Sequence, residues 1–233
     1  MNRRFFGLAS IAATLLAFCS GNDARASFTI DAAVGGAPTG VNYVNFDNLS
    51  LGNAGGVSGG VTVSFTGDGQ AVQGAVSGLY AAPFLSNSNG APFGDPTVSG
   101  PDMTTYLSTG VGSVTLSLPG PQKYFGMLWG SVDSYNSLSF YDSSNQLLGT
   151  ITGLDVTAAA NGNQGVNGTY YVNINSTEAF TKVVATSGSY AFEFDNVAFN
   201  PSAAVPEPSS LALCGIAGIT GLAAFRRRLR RVA

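Results

Sequence analysis

Apolar and polar residues alternate with a period of two along most of the middle of the chain, and this pattern limits the fold more than any other feature. Val61, Val63 and Phe65 alternate with Thr62, Ser64 and Thr66, and Val114, Leu116 and Leu118 alternate with Thr115 and Ser117. The same spacing recurs in Leu138 and Phe140, in Tyr170, Val172 and Ile174, and in Tyr190, Phe192 and Phe194. Successive side chains of a strand point to opposite faces, so each run predicts a strand with one buried face. Gly, Asn, Ser and Pro clusters separate the runs, and 31 glycines in 233 residues exceed the usual share of about 7%. About ten short strands and no amphipathic helix predict an all-β fold, a single β-sandwich of jelly-roll type.

Both ends read differently. Arg3 and Arg4 precede an apolar run from Phe5 to Phe18, followed by the small residues of Ala24-Arg25-Ala26. That order predicts a Sec-type signal peptide over 1–26, handled by the Sec translocon and cut by signal peptidase after Ala26. At the other end Val205-Pro206-Glu207-Pro208 leads into the apolar stretch Leu211 to Phe225 and then an arginine cluster, Arg226 to Arg231. As a helix the apolar stretch rises about 22 Å, and flanking residues extend it toward a hydrocarbon core of about 30 Å. The arginines are expected to stay on the cytoplasmic side, with the β domain outside. This tripartite order resembles the PEP-CTERM sorting signal. The resemblance implies an exosortase-type membrane peptidase as partner, transient anchoring in the inner membrane, and release to the cell surface or extracellular matrix. The expected organisation is therefore a signal peptide over 1–26, a β domain over 27–203 and a sorting signal over 204–233.

The terminal segments also hold most of the basic charge and both cysteines, Cys19 and Cys214. From Ser27 to Glu207 only Lys123 and Lys182 oppose twelve carboxylates, a net charge of about −10. Such a surface repels phosphate backbones, which excludes nucleic acid as a partner and favours cations or neutral glycans. A disulfide within that segment is excluded. The chain has no histidine, so a Ser-His-Asp triad and a histidine-ligated zinc are excluded as well.

Phe46-Asp47-Asn48-Leu49 recurs as Phe194-Asp195-Asn196-Val197. In the second copy the apolar phase runs through Phe192 and Phe194 and then steps to Val197 and Phe199, a change of parity that predicts a bulge at Asp195-Asn196. First and last strands commonly lie side by side in a jelly roll, which would bring Asp47 and Asp195 together at the rim. Asp47, Asn48, Asp195 and Asn196 are thus candidate oxygen ligands for a structural Ca²⁺. No other cofactor is expected.

Two stretches break the alternation, Leu51 to Gly60 and Leu85 to Met103, and read as loops where binding residues concentrate. Tyr80, Phe84, Tyr106 and Tyr135 lie in or beside loop-like segments and are candidate rings for stacking on a sugar. Asp133, Asp142, Asp155, Glu193 and Asp195 are the carboxylates suited by type to glycoside hydrolysis, although spacing alone pairs none of them. Gly56-Val57-Ser58-Gly59-Gly60 fits G-x-S-x-G but lacks a histidine partner and a strand-to-helix context. The expectation is a protein that is not an enzyme.

Several further blocks carry a second resemblance. They are Phe46-Asp47-Asn48-Leu49, Tyr80-Ala81-Ala82-Pro83-Phe84-Leu85, the run from Tyr124 to Asn136, Gly165-Val166-Asn167-Gly168-Thr169, and Tyr190 to Val197. Together they resemble a group of exosortase-dependent PEP-CTERM surface proteins over nearly the whole β domain. The resemblance implies a structural or adhesive role associated with exopolysaccharide and biofilm. A glycan-binding module that tethers exopolysaccharide is the alternative, and a carboxylate glycosidase a weaker one.

Overall fold

The computed structural model describes residues 26–34, 39–95 and 99–203. Residues 1–25 of the expected signal peptide, and the sorting signal with Val205, Pro206, Glu207 and Pro208, lie outside the described residues. Among the described residues no helix is long and apolar enough to cross a membrane.

The chain is all-β. Its strands are β1 (Phe28–Ala33), β2 (Asn42–Val44), β3 (Gly56–Ser58), β4 (Val61–Gly67), β5 (Gln70–Val72), β6 (Phe84–Leu85), β7 (Gly100–Pro101), β8 (Tyr106–Thr109), β9 (Gly112–Gly130), β10 (Asn136–Tyr141), β11 (Leu147–Thr152), β12 (Tyr170–Ser187) and β13 (Phe192–Asn200). A single-turn helix, α1 (Gly153–Val156), follows β11, and a 3-10 turn spans Ala91–Phe93. All strands but β6 and β7 belong to one antiparallel sheet of eleven.

Two long strands, β9 with 19 residues and β12 with 18, organise that sheet. The first half of β9 pairs with β4 and with the second half of β12, which β10 and β11 extend. Its second half pairs with the first half of β12 and with β13. The ladder between β9 and β12 shifts register between these halves, and Pro119-Gly120-Pro121 falls in the gap. Proline has no N–H to give a ladder, so a run with two prolines is tolerated where the ladder is interrupted. Inward positions change parity there too, from Val114, Leu116 and Leu118 to Phe125, Met127 and Trp129. The two arms turn one shared core inward. Phe140 of β10 lies 5.9 Å from Phe125 of the other arm and 5.1 Å from Phe180, and Trp129 stacks on Phe192 at 4.5 Å.

A second, smaller apolar layer lies on the outer face of β9, β12 and β13, where Tyr124, Leu128, Tyr171 and Ala198 pack against Leu85 and Phe93. Leu85 of β6 and Phe93 of the 3-10 turn therefore cover this face, and the Phe93 ring lies 6.2 Å from Tyr171. This cover shapes the candidate site.

Four expectations are corrected. Leu51 to Gly60 is not wholly loop, since β3 pairs with β4 through Gly59 and Gly60. Those glycines sit at φ 53° and 83°, the left-handed pair that a tight hairpin turn requires. Thirteen strands form among the described residues where about ten are expected, because β2, β3 and β5 add three-residue segments to the sheet and β6 with β7 makes a two-stranded ribbon of its own. Tyr190 is not on the inner face: it precedes β13, is 45% exposed, and donates its hydroxyl to Asp68 Oδ2 at 2.8 Å. The last strand pairs with β2, while β1 pairs with β12, so the first and last strands are not neighbours.

Candidate functional site

The outer face of β13 carries the chemistry. Residues alternate regularly to Asp195, which pairs with Leu128, but the next pair is Ala198 with Gly126, so β13 has one residue too many. The expected bulge is present at Asp195-Asn196, and Asn196 takes φ 54° to make it. Asn tolerates that left-handed geometry better than other residues with a Cβ. Phe194 and Val197 remain in the core on either side, while Glu193, Asp195 and Asn196 are buried beneath loops on the outer face. The first copy of the motif is a turn instead, closed by the Leu49 N–H donating to the Phe46 carbonyl at 2.9 Å.

Glu193 forms part of the wall of a cavity of about 510 Å³, which Asp133, Tyr135, Tyr190, Tyr80, Asn161 and Gln164 also line. Both Glu193 oxygens are engaged: Oε1 accepts from the Ala81 N–H at 2.8 Å and Oε2 from the Ser131 hydroxyl at 2.5 Å. Burial pushes the Glu193 carboxyl up to about 7, the two hydrogen bonds oppose that rise, and the Asp133 charge adds a little to it. Burial also raises Asp133, whose Oδ2 accepts from the Tyr135 hydroxyl at 2.7 Å. Tyr135 is 41% exposed, and its hydroxyl also lies 2.9 Å from the Tyr190 carbonyl oxygen. Gly110 makes room for Tyr190, because a Cβ there would overlap the ring.

The second cluster lies on the same outer face, where Asp95, Asp102 and Asp195 each place a carboxylate oxygen within 4.8 Å of the others. Asp195 and Asp102 are fully buried and Asp95 is 5% exposed. Asp95 Oδ2 accepts from the Asn196 side-chain amide at 2.6 Å, and Asp102 Oδ1 accepts from the Thr104 N–H at 2.8 Å and from its hydroxyl at 2.6 Å. Among the described residues no donor meets full hydrogen-bonding geometry at either oxygen of Asp195, at Asp95 Oδ1 or at Asp102 Oδ2. Burial drives the Asp195 carboxyl well above the usual range, with Asp102 and Asp95 adding to it and the Asn196 backbone N–H opposing. Burial likewise lifts Asp95 to about 6.

The structure distributes the expected site residues unevenly. Asp195 and Asn196 join the acidic cluster. Asp47 is exposed, accepts from the Thr105 N–H at 3.0 Å and from Asn45 Nδ2 at 2.7 Å, and acts on the cluster only through its charge on Asp95. Asn48 turns away to donate to the Val57 carbonyl at 2.8 Å. Tyr80 and Tyr135 line the cavity, whereas Tyr106 is fully buried against Tyr80 and offers no face to a sugar. Phe84 lies in β6, outside that lining. Asp142 holds the turn between β10 and β11 by accepting from the Ser144 and Gln146 N–H groups, and Asp155 closes the capping box of α1 with Thr152. Gly56-Val57-Ser58 of the G-x-S-x-G match is β3, followed by a hairpin turn and not by a helix.

Sequence reasoning missed Asp95, Asp102 and Tyr190. One signal did exist, since Tyr124 to Trp129 is apolar at both parities, as a strand covered on both faces must be. No protein-family model matches the chain, and no curated protein matches it.

Proposed function

We propose that the chain is an exported cell-surface or extracellular-matrix protein, delivered by Sec, then sorted and processed by an exosortase-type peptidase. Its β domain, a sandwich of jelly-roll type, holds exopolysaccharide in the cavity beneath Tyr135 and Tyr190. The order of Pro-Glu-Pro, apolar stretch and arginine cluster supports the sorting half of this reading. The binding half is carried by the convergence of Tyr80, Tyr135 and Tyr190 with Asn161, Gln164 and Asp133 around about 510 Å³. Such a cavity falls in the size range of small-ligand sites and combines ring faces with groups that hydrogen-bond sugar hydroxyls. Hydrogen bonds hold Tyr135 and Tyr190 in place, so little side-chain freedom remains to be lost on binding.

A glycosidase is the second reading, because Asp133 and Glu193 share the cavity. Binding fits better, since Glu193 spends both oxygens on Ala81 and Ser131 and so acts as a strut for the cavity wall. The test is binding of the purified protein to exopolysaccharide from the producing cells, beside its Tyr135→Ala and Tyr190→Ala variants. Retention without release of reducing ends, lost in both variants, supports the proposal. Turnover abolished by Glu193→Gln would favour the enzyme, and no retention would leave a purely structural role.

A further inference from the structure

Among the described residues the acidic cluster beside the bulge lacks a counter-charge. The described residues contain two basic side chains, and both are occupied elsewhere. Lys123 donates to the Thr177 carbonyl at 2.9 Å, and Lys182 lies over the Tyr141 ring and donates to Asn145. Three buried carboxylates without a cation repel one another and have lost their hydration. Four of their six oxygens also accept no well-formed hydrogen bond from the described residues. Buried polar oxygens are nearly always paired, so this many in one place need an account.

The surroundings are built to hold the carboxylates there. Asn196, bent into the left-handed region by the bulge, fixes Asp95, and Thr104 fixes Asp102 from two sides. The Asp102 N–H donates to the Pro83 carbonyl at 2.8 Å and the Asp95 N–H to the Gly90 carbonyl at 3.1 Å, which ties both backbones to the covering loop. Gly90 has no alternative in this position, because a Cβ would come within 2.7 Å of the Asp95 Cβ.

The geometry points to a calcium site in which Asp95, Asp102 and Asp195 supply the ligands and the ion ties the segment between β6 and β8 to the bulge of β13. Oxygens bound to one Ca²⁺ at about 2.4 Å are at most about 4.8 Å apart, and one oxygen from each of the three carboxylates lies within that limit of the others. Mg²⁺, at about 2.0–2.1 Å with near-octahedral demands, needs a tighter set. Without sulfur or imidazole the donors are all hard oxygens, which suits calcium over zinc or copper. Asn196 is a positioning residue, holding Asp95 without itself being required as a ligand.

The full chain, purified as the cells produce it and stripped with chelator, is titrated with CaCl₂ by calorimetry and its melting curve followed. One Ca²⁺ is expected to bind per chain and raise the melting temperature, with Mg²⁺ at the same concentration giving less. Asp195→Asn and Asp102→Asn are expected to weaken calcium at least ten-fold, while Asp142→Asn in the distant turn leaves it unchanged. In chelator Asp195→Asn is expected to melt no lower than the parent, since it relieves the crowding of three buried acidic groups, so loss of binding is separated from loss of folding. A parent chain indifferent to millimolar Ca²⁺ would overturn the site in favour of carboxyls that share protons. An equal response to Mg²⁺, or binding retained in both Asn variants, would overturn it too.

Discussion

Asn196 donates its side-chain amide to Asp95 across 2.6 Å, joining the bulge of the last strand to a loop 101 residues earlier. One residue thus meets two demands, a backbone at φ 54° and a side chain that orients a buried carboxylate. Asn196→Ala is expected to fail at both, losing about 1–2 kcal/mol to left-handed backbone and about 1.5–3 kcal/mol to the lost charged hydrogen bond. Asn196→Gly relieves only the first loss. Urea unfolding is expected to rank the proteins as parent, then Gly, then Ala, and equal stability of parent and Gly variant would remove Asp95 from the argument.

Gly126 sits between two buried tyrosines on the covered face. A Cβ there would overlap the Tyr124 hydroxyl and lie 2.8 Å from the Tyr171 hydroxyl. Neither ring is free to retreat, because Tyr124 donates to Asn173 Oδ1 at 2.7 Å and Tyr171 to the Asn196 carbonyl at 3.1 Å. Gly126→Ala is expected to cost about 1–3 kcal/mol by overpacking. Adding Tyr124→Phe removes the atom that is overlapped, so the double variant should be more stable than the sum of the single effects predicts. Strict additivity would show that the clash lies elsewhere.

The strands were legible where one face is buried and the other wet. Val61 and Val63, Val114 to Leu118, and Leu138 with Phe140 all face the core as their spacing requires. The bulge was legible for the same reason, since an extra residue leaves a visible change of parity between Phe194 and Val197. What covers the outer face was not. That is decided by contacts such as Asn196 to Asp95 and Ala81 to Glu193, 101 and 112 residues apart, for which no local pattern exists. Tyr190 misled because two following phenylalanines continue its spacing, whereas the strand begins only at Phe192.

Sorting has its own readout. Material recovered from the extracellular matrix is expected to begin at Ser27 and to lack the segment from Leu211 onward, which intact-mass measurement decides. Retention of Arg226 to Arg231 in that material would refute processing by an exosortase. Glu207→Ala is expected to leave the protein in the inner membrane, because the apolar stretch still inserts while the recognition element is lost.

Glu193 gives a pH dependence with a definite sign. Burial holds its carboxyl at about 7 in the folded chain, above its ordinary 4.5. Between those values the folded state binds more protons than the unfolded one, so stability falls as pH rises through that window. The contribution is present in full below pH 4.5, is lost as pH rises through about 7, and is on the order of 3 kcal/mol at most. Glu193→Gln removes the titration and keeps the contacts, because its amide oxygen accepts from the Ala81 N–H and its NH₂ donates to the Ser131 hydroxyl oxygen. Chelator in both samples keeps the acidic cluster in the same ionic state, and its own titration then cancels in the comparison. Urea midpoints at pH 5 and pH 8 should therefore show the parent losing stability relative to the variant. Parallel changes in the two proteins would mean that Glu193 is ionised throughout, and that Ser131 and Ala81 stabilise its charge more than burial opposes it.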